Sequence, residues 1–264
     1  MTERMIPFEK LSNFRDLGGL PTGDGRRIRS GKLFRGGNLN EASEADIAKL
    51  SGMMEMIVDF RTEREVREKP DPVIPGAELW HLPLMETITE GVTREKKADE
   101  NAFTRYMEDR EGSLNYMIRT YEHLASSRFA LDQLKKLLQY LTIPKEKGVL
   151  WHCAAGKDRT GIFAMIVEEI LGVPRDVIID DYLLTNEGNR EVVDRLVKFL
   201  ISKSDADPEK AVPALETMFG AQEEYILAYY GEAEKQYGSF ERFLEDALGV
   251  DPEMRETFRR LYLL

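Results

Sequence analysis

Between Val149 and Leu171 the hydrophobic positions change period once. Val149, Leu150 and Trp151 form a short unbroken apolar run, the pattern of a strand buried on both faces. Ile162, Phe163, Ile166, Val167, Ile170 and Leu171 then recur at i, i+3/4 and i+7/8, which predicts a helix stopped by Gly172 and Pro174. The residues between them, His152 to Gly161, form a loop that opens that helix. Upstream, Met56 to Phe60 predicts a second buried strand and Glu78 to Leu84 its companion, with the charged segment RTEREVREKPDP between them helical until Pro70 and Pro72. Ser43, with Asp46 three residues on, predicts a capped short helix whose apolar side carries Ile47 and Leu50. Asp16 to Asn38 holds two glycine turns, at Gly18-Gly19 and Gly23-Asp24-Gly25, and predicts a hairpin-like entry. Phe129, Leu134, Leu137, Leu138 and Leu141 predict a core helix that ends before Pro144.

Residues 85–125 are poor in strand formers, yet Phe103, Tyr106, Met107, Tyr116, Met117 and Tyr121 stand at helical spacings. The segment is too long for a plain loop. It predicts helices inserted over the face that carries the loop, acting either as a lid or as ordinary packing. After Pro174, helices are predicted over Val177–Leu184 and Glu191–Lys203, then a polar, proline-bearing break from Ser204 to Pro213, then a helical remainder. Alternating strands and helices predict an α/β fold with a mostly parallel sheet, whose ligands sit at the carboxyl ends of the strands. Cys153 follows such an end.

The loop has its own chemistry. The first N–H groups of a helix lack internal partners and carry the positive end of its dipole, which makes the loop an anion site. Gly156 lets consecutive amides turn toward a small anion, and Arg159, six residues after Cys153, can bind two of its oxygens with one planar fork. The same field favours a thiolate: cysteines near a helix N-terminus and an arginine can fall from about 8.5 to roughly 3.5–7.5. Cys153 is then a nucleophile, the alternative being an inert buried thiol at a strand end.

Composition narrows the setting. In 264 residues, 42% are hydrophobic, which is enough for a sizeable core. The formal charge of −11 argues against nucleic-acid binding and against stable association with anionic membranes. One cysteine permits no intrachain disulfide, and a reactive thiol fits a reducing compartment. With no apolar signal core near the start and no run of eighteen apolar residues, a cytoplasmic protein is the expectation, and its oligomeric state stays open. The cluster Arg26, Arg27, Arg29, Lys32 and Arg35 is either a solvated turn region or a rim that attracts anionic substrate.

The run HCAAGKDRTG, His152 to Gly161, resembles the active-site signature of the cysteine-dependent protein tyrosine phosphatase superfamily. Its Lys-Asp pair is similar to that of the atypical bacterial tyrosine/serine phosphatases and their lipid-phosphatase relatives. Asn13 to Gly19 (NFRDLGG), Val58 to Arg61 (VDFR) and Asp181 to Asn186 (DYLLTN) match the bacterial family's pattern, so the likeness spans about residues 10–190. It implies a tyrosine-phosphatase-like sheet flanked by helices, in one domain over 1–264 with an insertion at about 85–125 and C-terminal helices at about 187–264. It also implies a phosphomonoesterase that works through a thiophosphoryl enzyme without cofactor or metal. The substrate would be a phosphorylated protein, on tyrosine or also on serine and threonine, or alternatively a phosphoinositide or another small phosphate ester.

In that reading Cys153 attacks and Arg159 clamps the phosphoryl oxygens. Ala154, Ala155, Gly156, Lys157, Asp158 and Arg159 line the phosphate, and Thr160 donates to the cysteine sulfur. His152 and Asp59 support the loop. The usual relatives carry an aspartate after the strand that Leu79 to Leu84 replaces, where this chain has Met85-Glu86. The resemblance to the bacterial family carries the general acid's role onto the loop aspartate, Asp158, with Glu86 and Asp59 as competitors. Lys157 either neutralises Asp158 or contacts a second phosphate. A binding module without catalysis and a rhodanese-like sulfurtransferase remain the alternatives outside phosphate ester hydrolysis. His81, His123 and His152 are scattered, and Asp180-Asp181 lack the neighbours a metal pair needs.

Overall fold

The computed structural model describes residues 4–86 and 106–264. Its five-stranded sheet has the order β1-β2-β5-β3-β4, with β1 (Arg15–Asp16), β2 (Leu33–Gly36), β3 (Met54–Asp59), β4 (Glu78–His81) and β5 (Gly148–His152). The β1–β2 pair is antiparallel and every other pair parallel, so β5 lies at the centre between β2 and β3. Gly36 and Asp59 are both in register with His152. Three carboxyl ends therefore converge where Cys153 begins.

Period-two alternation, interrupted by a register shift between Met54 and Met56, sorts the strand side chains into two cores. Leu33, Met56, Val58, Val149 and Trp151 face the larger core, while Phe34, Met54, Ile57 and Leu150 face a smaller one. The smaller core is covered by α1 (Glu44–Met53), whose N-terminus is closed by the expected Ser43–Asp46 capping box. A second box, Thr62 with Glu65, opens α2 (Glu63–Glu68).

The larger core takes α3 (Arg110–Ser126), α4 (Arg128–Leu141) and α5 (Asp158–Leu171). Gly172, at φ 82°, stops α5 in the left-handed conformation that glycine tolerates. Trp151 ties strand to helix: its indole N–H donates to the Thr160 carbonyl at 3.2 Å and its ring meets Phe163 edge-on, with centroids 5.0 Å apart.

The insertion expected over 85–125 is described in part. Within it α3 is a packing helix, with Met117, Tyr121, Leu124 and Ala125 buried in the main core; the part of the lid expectation that falls on 87–105 lies outside the described residues. Helices α6 (Arg175–Leu183), α7 (Thr185–Gly188), α8 (Arg190–Ser202), α9 (Pro208–Phe219), α10 (Glu223–Tyr237), α11 (Phe240–Arg242) and α12 (Pro252–Tyr262) follow, and α3 packs on α9 and α10. The break expected from Ser204 to Pro213 is shorter than that. Asp207 caps α9, Pro208 takes its first turn and Pro213 lies inside it. Losing one i→i−4 bond at Pro213 is tolerated because Ala211, Ala214, Leu215 and Met218 bury the same helix. Among the described residues, no helix is long and apolar enough to cross a membrane.

Behind the sheet's end, Asp181 on α6 is fully buried and meets three arginines: Arg4 at 2.6 Å, Arg35 at 2.8 Å and Arg15 at 3.3 Å. Burial works to raise its pKa, but the three cations hold the carboxyl well below the usual range. Its contribution to stability is present above its unfolded value of about 4 and disappears as pH falls through the depressed native value. Asp181→Asn is expected to destabilise the fold by about 3–5 kcal/mol, since it leaves buried guanidinium groups without their anion. Urea unfolding near neutral pH measures this, and a loss below about 1 kcal/mol would contradict it.

Candidate active site

Cys153 is 1% exposed and free, one residue past β5. The loop after it is defined by where its carbonyls go. Cys153 O faces His152 Nδ1 at 3.4 Å, and Ala154 O accepts from the Asn38 amide at 3.1 Å. Ala155 O accepts from Asn13 Nδ2 and Asn189 Nδ2, while Gly156 O accepts from Asn13 Nδ2 and Arg35. In a planar trans peptide the N–H points opposite to the C=O. Four carbonyls held outward therefore turn the amides of residues 154–157 inward, and none of these N–H groups finds an acceptor among the described residues. Gly156 has φ 65°, and a Cβ there would lie 2.5 Å from the Gly36 carbonyl oxygen. Only glycine fits between the loop and the end of β2.

Arg159 is buried with its guanidinium paired end-on to Glu65, at 2.6 Å (Nη1 to Oε2) and 2.9 Å (Nη2 to Oε1). Burial would lower its pKa, but Glu65 outweighs that and the thiol of Cys153 adds to the upward push, so the group stays cationic. Glu65 also accepts from the Thr62 amide, which fixes the pair to the first turn of α2. A bidentate partner of this kind orients the guanidinium, and its negative charge offsets part of the cation's field at the loop.

Asp158, the first residue of α5, is a quarter exposed. Its Oδ1 accepts from the Tyr121 hydroxyl at 2.8 Å and lies 3.4 Å from Lys157 Nζ. Tyr121 in turn shares a 2.7 Å hydrogen bond with Tyr182. Burial, and then the charge of Asp158, hold both phenols well above their usual range, so they remain donors. The carboxyl is thus held on one oxygen by helices α3 and α6.

The competitors for the acid stand elsewhere. Asp59 is 3% exposed and accepts from the Arg61 amide and guanidinium; burial would raise its pKa, but His152 and Arg61 hold it below the usual range. A carboxyl kept ionised in this way is poorly suited to give a proton. Glu86 is exposed, at the last described residue before 87.

Asp59 and His152 are the last residues of β3 and β5, beside the start of the loop. His152 Nε2 lies 3.3 Å from Asp71, and Arg61 bridges Asp59 at 2.7 Å and Asp71 at 2.6 Å. Ligand atoms of Asp59, Asp71 and His152 lie within 4.8 Å of one another, the spacing of a metal site. The Arg61 cation already fills that role for both carboxylates. Thr160 Oγ1 is buried and makes no hydrogen bond among the described residues, so the expected donation to the Cys153 sulfur is not formed in this structure.

Two expectations change. Lys157 stands 3.4 Å from Asp158, as the neutralising alternative requires, but it is buried rather than solvated and is not pointed at a second anion: Nζ donates to Met218 O at 2.8 Å and Gly220 O at 3.1 Å, and sits 5.5 Å from the Tyr225 ring centroid. The side chain caps the C-terminus of α9, where a cation is favoured, and leaves only its backbone N–H for the loop's interior. The basic cluster near the N-terminus does not form a rim. Arg26 pairs with Asp24, Arg27 and Arg29 bind Gly19 O and Leu263 O, Lys32 binds Lys145 O and Glu146 O, and Arg35 is buried on Asp181.

Residues 6–264 match the family model described as "Tyrosine phosphatase family". A provisionally named tyrosine-protein phosphatase of Cupriavidus necator is 30% identical over 249 residues, which is 93% of this chain and 85% of the relative. The triple specificity protein phosphatase PtpB of Mycobacterium tuberculosis is 27% identical over 257 residues, 89% of this chain and 91% of the relative. A crystal structure of P. aeruginosa TpbA in complex with pTyr aligns over 77% of this chain and 89% of its own, at 13% identity and a TM-score of 0.29.

Proposed function

This chain belongs to the tyrosine phosphatase family, and from that membership we propose that it hydrolyses phosphate monoesters on protein, phosphotyrosine foremost, through a thiophosphoryl intermediate on Cys153. The observation that carries the proposal is the row of inward amides over residues 154–157 with Cys153 at its start and the Arg159 cation beside it. Such a cradle fits the three equatorial oxygens of a phosphoryl group in transfer.

Cys153 Sγ attacks phosphorus in line with the ester oxygen; the S–P bond forms as the P–O bond breaks. Asp158 gives its proton to the departing oxygen. Water then attacks phosphorus, Asp158 takes one of its protons, and the S–P bond breaks to return the thiolate, toward which the Thr160 hydroxyl, unpartnered among the described residues, turns as a donor. Arg159 and the amides hold the charge in both steps. Arg159→Lys, which keeps charge but loses the planar fork, is expected to lower kcat by about 10²-fold on a phosphotyrosyl peptide. Steady-state kinetics with a loss under about threefold would contradict the clamp assignment.

Two features favour phosphoprotein over phosphoinositide. Lys157, the loop cation suited to a second phosphate, is engaged on α9, and the chain's charge of −11 disfavours an anionic membrane surface. PtpB bears the name of a triple specificity phosphatase, so serine/threonine and lipid esters are the comparison to make. A metal-free panel of phosphotyrosyl and phosphoseryl peptides beside soluble phosphoinositides decides it: highest kcat/KM on the phosphotyrosyl peptide is expected, and preference for the lipid would overturn the substrate assignment. Work in a reducing cytoplasm suits the single reactive thiol.

A further inference from the structure

The NFRDLGG segment and the stretch after DYLLTN stand apart from the reacting atoms, yet each sends one asparagine to the back of the anion loop. Asn13 Nδ2 places its two N–H bonds on consecutive carbonyls, Ala155 O at 3.1 Å and Gly156 O at 3.0 Å. Arg15 Nη1 donates to Asn13 Oδ1 at 2.5 Å, which fixes the amide the right way round. Asn189 Nδ2 adds a second bond to Ala155 O at 2.8 Å, and Arg35 a second to Gly156 O at 3.2 Å.

Reaching both carbonyls requires an unusual backbone. Asn13 has φ 55°, the only positive value among described non-glycine residues, in a region that asparagine tolerates better than most. Its N–H donates to Gly188 O at 3.2 Å, and a Cβ on Gly188 would come within 2.9 Å of the Asn13 Cα. The contact is built from both sides.

We infer that Asn13 and Asn189 are positioning residues that set two amides of the catalytic loop. The Ala155 carbonyl belongs to the same planar peptide as the Gly156 N–H, and the Gly156 carbonyl to that of the Lys157 N–H. Holding those two oxygens outward holds those two N–H groups toward the anion. Glycine at 156 makes the restraint necessary, because its backbone has the most freedom to flip. Arg15 and Arg35, both anchored on buried Asp181, extend the clamp into the fold. Neither asparagine touches substrate, so their effect passes through the loop.

The inference rests on the loop being an oxyanion site, and its test does not depend on turnover. Asn13→Gly keeps the left-handed backbone while deleting the donor; Asn189→Ala deletes the other. For each, the tungstate dissociation constant is measured by calorimetry, together with the ratio of Cys153 alkylation rates by iodoacetate and iodoacetamide. The ratio cancels thiol reactivity and reads the attraction for an anion. Two hydrogen bonds of ordinary net strength predict about a tenfold weaker tungstate affinity for Asn13→Gly, and one bond about threefold for Asn189→Ala, with the ratio falling in step.

A merely structural role would lower the thermal midpoint and leave both readouts unmoved. Folded variants within about twofold of the parent in tungstate affinity and in the ratio would overturn the inference, as would an unfolded Asn13→Gly beside an Asn189→Ala with unchanged readouts. If the parent binds tungstate but hydrolyses no phosphate ester, the proposed function fails while the clamp still stands.

Discussion

Cys153→Ser is expected to lower turnover of para-nitrophenyl phosphate by at least about 10⁴-fold, the scale on which removing an enzyme nucleophile acts. Serine is nearly isosteric, and Cys153 is 1% exposed between β5 and the loop, so the cradle should survive the change. A serine hydroxyl is a far weaker nucleophile toward phosphorus than a cysteine sulfur. The variant should still bind tungstate, because the amides and Arg159 are untouched. A phosphotyrosyl peptide would then form a stable complex with it, measurable by calorimetry. Residual turnover near the parent's would mean that another group attacks phosphorus; lost turnover together with lost tungstate binding would mean that the cysteine shapes the loop. Thiosulfate-to-cyanide transfer by the parent would instead point to sulfur chemistry.

Asp158→Asn is expected to lower kcat by about 10²–10⁴-fold on phosphoseryl and alkyl phosphates, the usual worth of a positioned acid. Loss on para-nitrophenyl phosphate should be much smaller, because that leaving group departs without a proton. The geometry explains why the acid can sit inside the loop. Tyr121 reaches Asp158 Oδ1 from α3, and Lys157 stands on the same oxygen, so one face of the carboxyl is fixed while the group remains a quarter exposed to an incoming ester. Glu86→Gln, on an exposed residue, is expected to leave kcat within about twofold, since surface changes away from the reacting groups have little to act through. Should Asp158→Asn leave alkyl phosphate turnover unchanged while Glu86→Gln abolishes it, the acid assignment would be reversed.

The parts of the site that follow from local pattern were legible in the chain. The strand Gly148–His152, the loop and the helix from Asp158 each announce themselves by a change of period or by a glycine. The partners were not legible, because they depend on which elements meet. Nothing in TEREVRE says that Glu65 will meet Arg159, and nothing in Lys157 says that it will turn to α9 rather than to a ligand. Tyr121 illustrates the same limit: its helical spacing marks a buried face, while its hydroxyl's partners, Asp158 on α5 and Tyr182 on α6, are set by how α3 meets those two helices. Asn13 and Asn189 were within reach of a weaker signal. Each lies in or beside a segment matching the family's pattern without offering chemistry of its own, which is where a support for the loop would stand.

The order of the strands has a consequence for how the chain is made. β2 and β3 are separated in the sheet by β5, which the ribosome supplies only after the segment carrying α3 and α4. Until residue 152 has emerged, β2 and β3 each expose an unpaired parallel edge, and non-local pairing of this kind forms slowly. The entry hairpin likewise waits for distant residues, with Leu264 N–H on Arg27 O at 2.9 Å and Arg29 N–H on Tyr262 O at 2.7 Å. A nascent chain therefore carries these open edges until β5 has been made, and over that interval it is exposed to pairing with other chains in the way that folding chaperones prevent.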